Sequence, residues 1–80
     1  MTDEERKKIR EARLILCPED KKLRQANLES FKRMKKLFFP EYSVATIRQL
    51  ESSSAYKPSS RLQKVIDRFL VRAAIKDGRL

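Results

Sequence analysis

Apolar residues return every three or four positions in four stretches of this chain, a spacing that lines them along one side of an α-helix. Ile9, Ala12, Ile15 and Leu16 mark the first stretch, and Leu23, Ala26, Phe31, Met34, Leu37 and Phe38 the second. Val44, Ile47 and Leu50 mark the third, and Leu62, Val65, Ile66, Phe69, Leu70 and Ala73 the fourth. The residues between them supply starts and stops. Thr2, with Glu5 three positions on, forms a capping box, so a helix is expected over about Asp3–Leu16. Its outer face mixes Arg6, Lys7, Arg10 and Arg13 with Glu4, Glu5 and Glu11, the composition of a solvated surface. Cys17-Pro18 ends it, because the residue before a proline is pushed out of the helical region.

Pro18 suits the first position of a second helix, with Glu19 and Asp20 at its positive end. Asn27 is an alternative cap for a piece beginning at Leu28. Pro40 breaks the pattern, and Ser43 is a good N-cap for a short helix running to Glu51. Ser52-Ser53-Ser54-Ala55-Tyr56-Lys57-Pro58 reads as a loop. Ser59 or Ser60 then caps the last helix, and Gly78 lies just past it as a C-terminal cap. No stretch alternates with the period of a strand. The expectation is an all-α fold, a small four- to five-helix domain with a helix-turn-helix core over about residues 28–70.

Length and composition narrow what such a domain can do. Eighty residues make a single helical domain, residues 1–80. One cysteine excludes an internal disulfide, and with no histidine it cannot complete a tetrahedral zinc site. A reducing compartment follows as the expectation. No apolar run approaches the roughly 20 residues that span a bilayer, and the acidic start lacks the pattern of a signal peptide. A cytoplasmic, nucleoid-associated protein is therefore expected. Catalysis has little to build on: no histidine serves as acid or base, and Cys17 has no activating partner. A lone glycine excludes a Gly-rich phosphate loop, and no carboxylates converge to hold a catalytic metal. No catalytic residue, cofactor or metal is assigned, and the protein is read as a non-enzyme.

Charge points toward a partner. Twenty lysines and arginines face eleven aspartates and glutamates, a formal net charge of +9. That balance attracts polyanions without choosing among them. The choice comes from the short third helix. With Val44, Ile47 and Leu50 on its apolar stripe, Arg48 and Gln49 point elsewhere. Arg48 has the fork that matches guanine, Gln49 the amide that matches adenine, and the methyls of Ala45 and Thr46 fit a thymine methyl. Lys35 and Lys36 precede the turn, while Lys57 and Arg61 flank the following loop; both pairs are candidates for phosphate contact. The N-terminus of the last helix, with Ser59 and Ser60, is another. Double-stranded DNA is the partner this pattern favours.

Ser43-x-x-Thr46-Ile47-x-x-Leu50-Glu51, followed by a small-residue loop, Pro58-Ser59 and the amphipathic Leu62-Gln63-Lys64-Val65-Ile66, resembles lambda-repressor-like helix-turn-helix proteins of the Cro/C1 or XRE type. The resemblance covers about residues 43–70. It implies a five-helix or reduced all-α domain that reads a DNA operator with the exposed residues of 43–52, Ser43 and Ser52 included, often as a homodimer. It also implies that Ile47 and Leu50 are core and that Glu51 orders the following loop. The upstream half departs from that pattern, with Glu41 and Tyr42 where a turn glycine is usual. Leu37–Ser43 equally fits the start of the third helix of a Myb-like tri-helical domain.

A reading of a different class is a protein-interaction module, an inhibitor or adaptor of phage or plasmid type docking on an acidic partner. Leu14, Leu28, Val71 and Ile75 lie off the main stripes, and Leu28 and Val71 would be its apolar anchors. A third is a membrane-surface or calmodulin-target helix over Phe31–Phe39. It is weaker, because the other helices offer those apolar residues a core. The four phenylalanines, Phe31, Phe38, Phe39 and Phe69, are accordingly assigned to the core rather than to a stacking platform for single strands.

Overall fold

The computed structural model describes residues 1–78. Four helices follow one another: α1 (Asp3–Leu16), α2 (Ala26–Phe38), α3 (Val44–Ser52) and α4 (Ser60–Lys76). Among the described residues there is no strand, so the all-α expectation holds. None of these helices is long and apolar enough to cross a membrane.

α1 begins as its sequence dictates. Thr2 Oγ1 accepts the Glu5 backbone N–H at 3.2 Å, and the Glu5 carboxylate accepts the Thr2 N–H at 3.2 Å in return. Two otherwise orphaned donors are thereby satisfied, and Asp3, Glu4 and Glu5 complement the positive end of the helix. Cys17 closes the helix, its N–H reaching the Arg13 carbonyl, and Pro18 cannot extend it.

Pro18 does not start a helix, contrary to the expectation from the sequence. The Asp20 side chain accepts the Lys22 N–H at 3.0 Å and its carbonyl accepts the Leu23 N–H at 2.9 Å. This local turn offers the backbone an alternative to helical bonding. Leu23, the apolar residue meant to anchor that turn of helix, stays exposed, so burial does not favour the helical alternative. α2 starts only at Ala26, behind Gln25, which gives no side-chain cap. Asn27 is not the cap either: it lies inside the helix and donates to Glu19 Oε1 at 3.3 Å.

The last two helices start where expected. Ser43 Oγ accepts the Thr46 N–H at 3.1 Å, and Ser59 Oγ accepts the Leu62 N–H at 3.2 Å. Between α2 and α3 the Phe39–Tyr42 turn closes with the Tyr42 N–H on the Phe39 carbonyl at 3.1 Å, Pro40 taking the second position that its fixed φ suits. Gly78 has a φ of 77°, the left-handed conformation that ends α4 without the clash of a side chain.

α1 packs most extensively on α4, while α3 lies against both α1 and α2. Ile9, Ala12, Met34, Ile47, Leu50, Leu62, Ile66 and Ala73 form one core with Phe31, Phe39 and Phe69. Phe31, Phe39 and Phe69 are core residues as expected, whereas Phe38 is only partly buried and packs on the edge of the core. Leu37 departs from its assigned place and lies 57% exposed, since Phe38 and Phe39 occupy that end of the core. Cys17 is fully buried. Burial pushes its thiol pKa up, against the opposing pull of Arg33, Arg13 and Lys76.

Candidate nucleic-acid interface

The orientation of α3 follows from its two anchors. Ile47 and Leu50 are completely buried three residues apart, which forces the opposite side of this nine-residue helix outward. Ala45, Arg48, Gln49 and Ser52 are exposed on it. The Arg48 guanidinium and the Gln49 amide make no hydrogen bond or ion pair within the described residues. Arg48 instead extends past the Phe31 ring, 5.9 Å from its centroid.

A buried ion pair fixes the far end of α3. Arg13 reaches from α1 and donates to Glu51 through Nε at 2.7 Å and Nη2 at 3.2 Å, a two-pronged contact. Its Nη1 donates to Ser30 Oγ of α2 at 2.8 Å, and that hydroxyl donates to the Cys17 carbonyl at 2.5 Å. The guanidinium stacks 4.2 Å from the centre of the Phe31 ring. The Arg13 and Glu51 side chains are only 2% and 9% exposed. Two expectations are corrected here. Arg13 does not belong to the solvated face of α1, because its position one residue past Ala12 and four past Ile9 lies on the buried stripe. Glu51 does not order the following loop; its carboxylate is engaged by Arg13. The loop is tied from the other side, with the Met1 amino group donating to the Ser54 and Tyr56 carbonyls at 3.2 Å each. Arg6 of α1 also donates to the Ser52 carbonyl, at 3.4 Å.

The remaining site residues divide into engaged and free. Ser43 is taken up by capping, and its hydroxyl also contacts the Thr46 hydroxyl at 3.0 Å. Thr46 is half-buried, and Ser52 Oγ donates back to the Arg48 carbonyl at 2.9 Å. Lys35 donates to the Pro40 carbonyl at 3.1 Å, which ties the end of α2 to the turn. Arg61 pairs with Glu41 at 2.7 Å across the surface. Ser59, proposed to assist a phosphate at the α4 N-terminus, caps that helix itself. Lys36 and Lys57 are exposed and unpaired among the described residues, and they keep the freedom that phosphate contact needs.

The structure draws Arg48 and Ser52 together with residues of two other helices. Arg10 of α1 and Asn27 of α2 join them around a cleft of about 260 Å³, with Phe31 and the Arg13–Glu51 pair also lining it. Three arginines against one glutamate leave this cleft cationic. Arg61 does not join them; it lies in a separate groove with Lys64 and Arg68. Sequence reasoning missed Arg10 and Asn27, since their relation to Arg48 depends on how α1, α2 and α3 pack. Among the described residues, no group of three histidine, cysteine, aspartate or glutamate side chains could hold a metal ion. No family model, curated protein or solved structure matches this chain.

Proposed function

We propose that this protein is a small DNA-binding regulator that places the exposed face of α3 in the major groove. α2, the Phe39–Tyr42 turn and α3 then act as a helix-turn-helix, in keeping with the lambda-repressor-like resemblance over about residues 43–70. One observation carries the reading: Arg48 and Gln49 stand outward with no internal hydrogen bond or ion pair among the described residues, on a helix whose other side is locked by Ile47 and Leu50. A bidentate side chain held on a rigid element is what base discrimination requires, and each such contact contributes about 1–3 kcal/mol against the wrong base. Arg10, Lys36 and Lys57 supply sequence-independent attraction to phosphates, and the net charge of +9 makes it salt-dependent. In this reading the protein works in the cytoplasm, at the nucleoid.

The test is selection of a bound site from a random duplex pool, with wild type and Arg48→Ala compared at low and physiological salt. A short enriched site that Arg48→Ala no longer distinguishes is the expected result. Equal binding to all sequences, reduced to the same extent by salt in both proteins, overturns the proposal.

A further inference from the structure

The opposite end of α2 carries a feature that base reading does not use. Two adjoining hollows, of about 610 and 360 Å³, run between that end and α4 and share Phe38, Val65 and Arg68. Leu37 and Val71, 57% and 49% exposed, open onto the larger one. Along the groove Lys64, Arg68 and Arg72 follow one another at four-residue intervals on α4. Like charges at that spacing face each other on a helix and disfavour it. Among the described residues none of the three makes an ion pair or hydrogen bond. Of the nearby acids Glu41 is paired with Arg61, while Asp67, which lines the larger hollow, accepts the amide of Gln63 at 3.0 Å and keeps its negative charge. An apolar floor beside a row of three cations, opposed by the single carboxylate of Asp67, is thus left open with a net positive charge.

We propose that this groove docks an acidic amphipathic helix of a partner protein. The span from Arg61 to Arg72 is eleven residues, about 16 Å at the helical rise, which matches roughly three turns of a partner helix. Carboxylates at four-residue spacing on that helix meet Lys64, Arg68 and Arg72, while its apolar side chains fill the hollow over Phe38 and Val65. A second copy of this chain fits poorly, because self-docking brings two cationic rows together. A nucleic-acid backbone matches the row but leaves the apolar floor uncovered. A lipid surface meets convex faces rather than a concave groove.

The experiment is selection from a displayed library of random 14-residue peptides on the full chain. The best sequence is then synthesised and titrated against the protein, with amide NMR shifts recorded. The proposal expects enriched peptides with alternating acidic and apolar helical faces and shifts confined to Leu37–Phe38 and Lys64–Arg72. Arg68→Glu/Arg72→Glu is expected to weaken binding by at least about tenfold, and a peptide with lysines in place of its acids to restore it. Enrichment of neutral or basic peptides, shifts elsewhere, or no enrichment at all overturns it. So does a concentration-dependent dimer abolished by Val71→Asp, which assigns the groove to a second copy. Shifts at Lys64–Arg72 on adding mixed-sequence duplex DNA overturn it in favour of DNA. Since none of these readouts involves Arg48, failure here is distinguishable from failure of the DNA-binding proposal.

Discussion

Near its N-terminal half α2 meets α1 and α3 through Ser30, Arg13 and Glu51, whereas at its C-terminal end Phe38 and Phe39 each stack edge-on against Phe69 of α4. The ring centroids there lie 5.2 and 5.3 Å apart, the range in which aromatic pairs attract beyond their buried area. The two joints hold the same helix by different means. Apolar contact is tolerant of direction and yields bulk stability; a buried guanidinium on a carboxylate is directional and adds little net stability after desolvation. The directional joint holds α3, the helix proposed to be aimed at DNA. The tolerant one holds α4 against the end of α2.

Breaking either joint on one side has the largest expected effect. Phe69→Ala removes the ring both aromatic partners share and should cost about 3–5 kcal/mol. Glu51→Ala takes the close partner from buried Arg13, leaving only Glu19 Oε2 at 3.9 Å from Nη1, and should cost up to about 3–5 kcal/mol. Urea unfolding measures both. The comparison is sharpened by a paired replacement: Arg13→Met with Glu51→Leu should recover most of the stability lost in Glu51→Ala, since apolar pairs of similar volume replace buried ion pairs at little cost. If the ion pair serves direction, that stable double variant still discriminates DNA sites less well than wild type. Full discrimination in the double variant removes the aiming role assigned to the pair.

A smaller effect tests how much α3 depends on its own start. Ser43→Ala deletes the cap on a helix of only nine residues and should cost about 1 kcal/mol. In a domain this size that lowers Tm by about 4–8 °C. Ser59→Ala removes the equivalent bond from α4, which is seventeen residues long and has four buried residues to hold it. Its loss should therefore fray less of the helix, visible as a smaller rise in amide exchange over the first turn. Equal fraying in both would mean that the local cap, not length or packing, governs these ends.

The same contrast explains what the sequence revealed. Capping is local chemistry, so Thr2, Ser43 and Ser59 identified the starts of three helices from a few residues each. The start of α2 was misread because Pro18-Glu19-Asp20 has the composition of a helix entrance, while the Asp20 carboxylate engages the Lys22 N–H and bends the chain instead. Arg13 was misread by residue type. Its position on the Ile9–Ala12 side was available from the 3.6-residue period, but a lone charge on such a stripe is read as buried only when its partner is known. That partner, Glu51, is 38 positions away. Arg48 and Gln49 were legible as outward residues because Ile47 and Leu50 fix their direction within one turn. Arg10 and Asn27 were not, because their meeting with Arg48 is a product of three helices packing.

The smallest effect concerns acid. Hydrogen bonds from the Thr2 backbone and then the Thr2 side chain hold the Glu5 carboxyl below its ordinary pKa. In the unfolded chain the group returns to the ordinary carboxylate range, so between the two values the unfolded state binds the extra proton. Stability therefore rises with pH through that window: the contribution is complete above the ordinary value and disappears as pH falls through the lowered one. Thr2→Ala removes the side-chain bond and should shift the Glu5 titration, followed by carboxyl NMR, back toward the ordinary value. The acid limb of the stability curve should flatten slightly, because Glu5 is fully exposed and solvent screens the interaction. An unchanged titration in Thr2→Ala would assign the lowering chiefly to the Thr2 backbone N–H, with the amino terminus and Lys8 adding to it. The start of α1 would then depend on main-chain geometry, as the aromatic joint depends on shape, rather than on a directed side chain of the kind that holds α3.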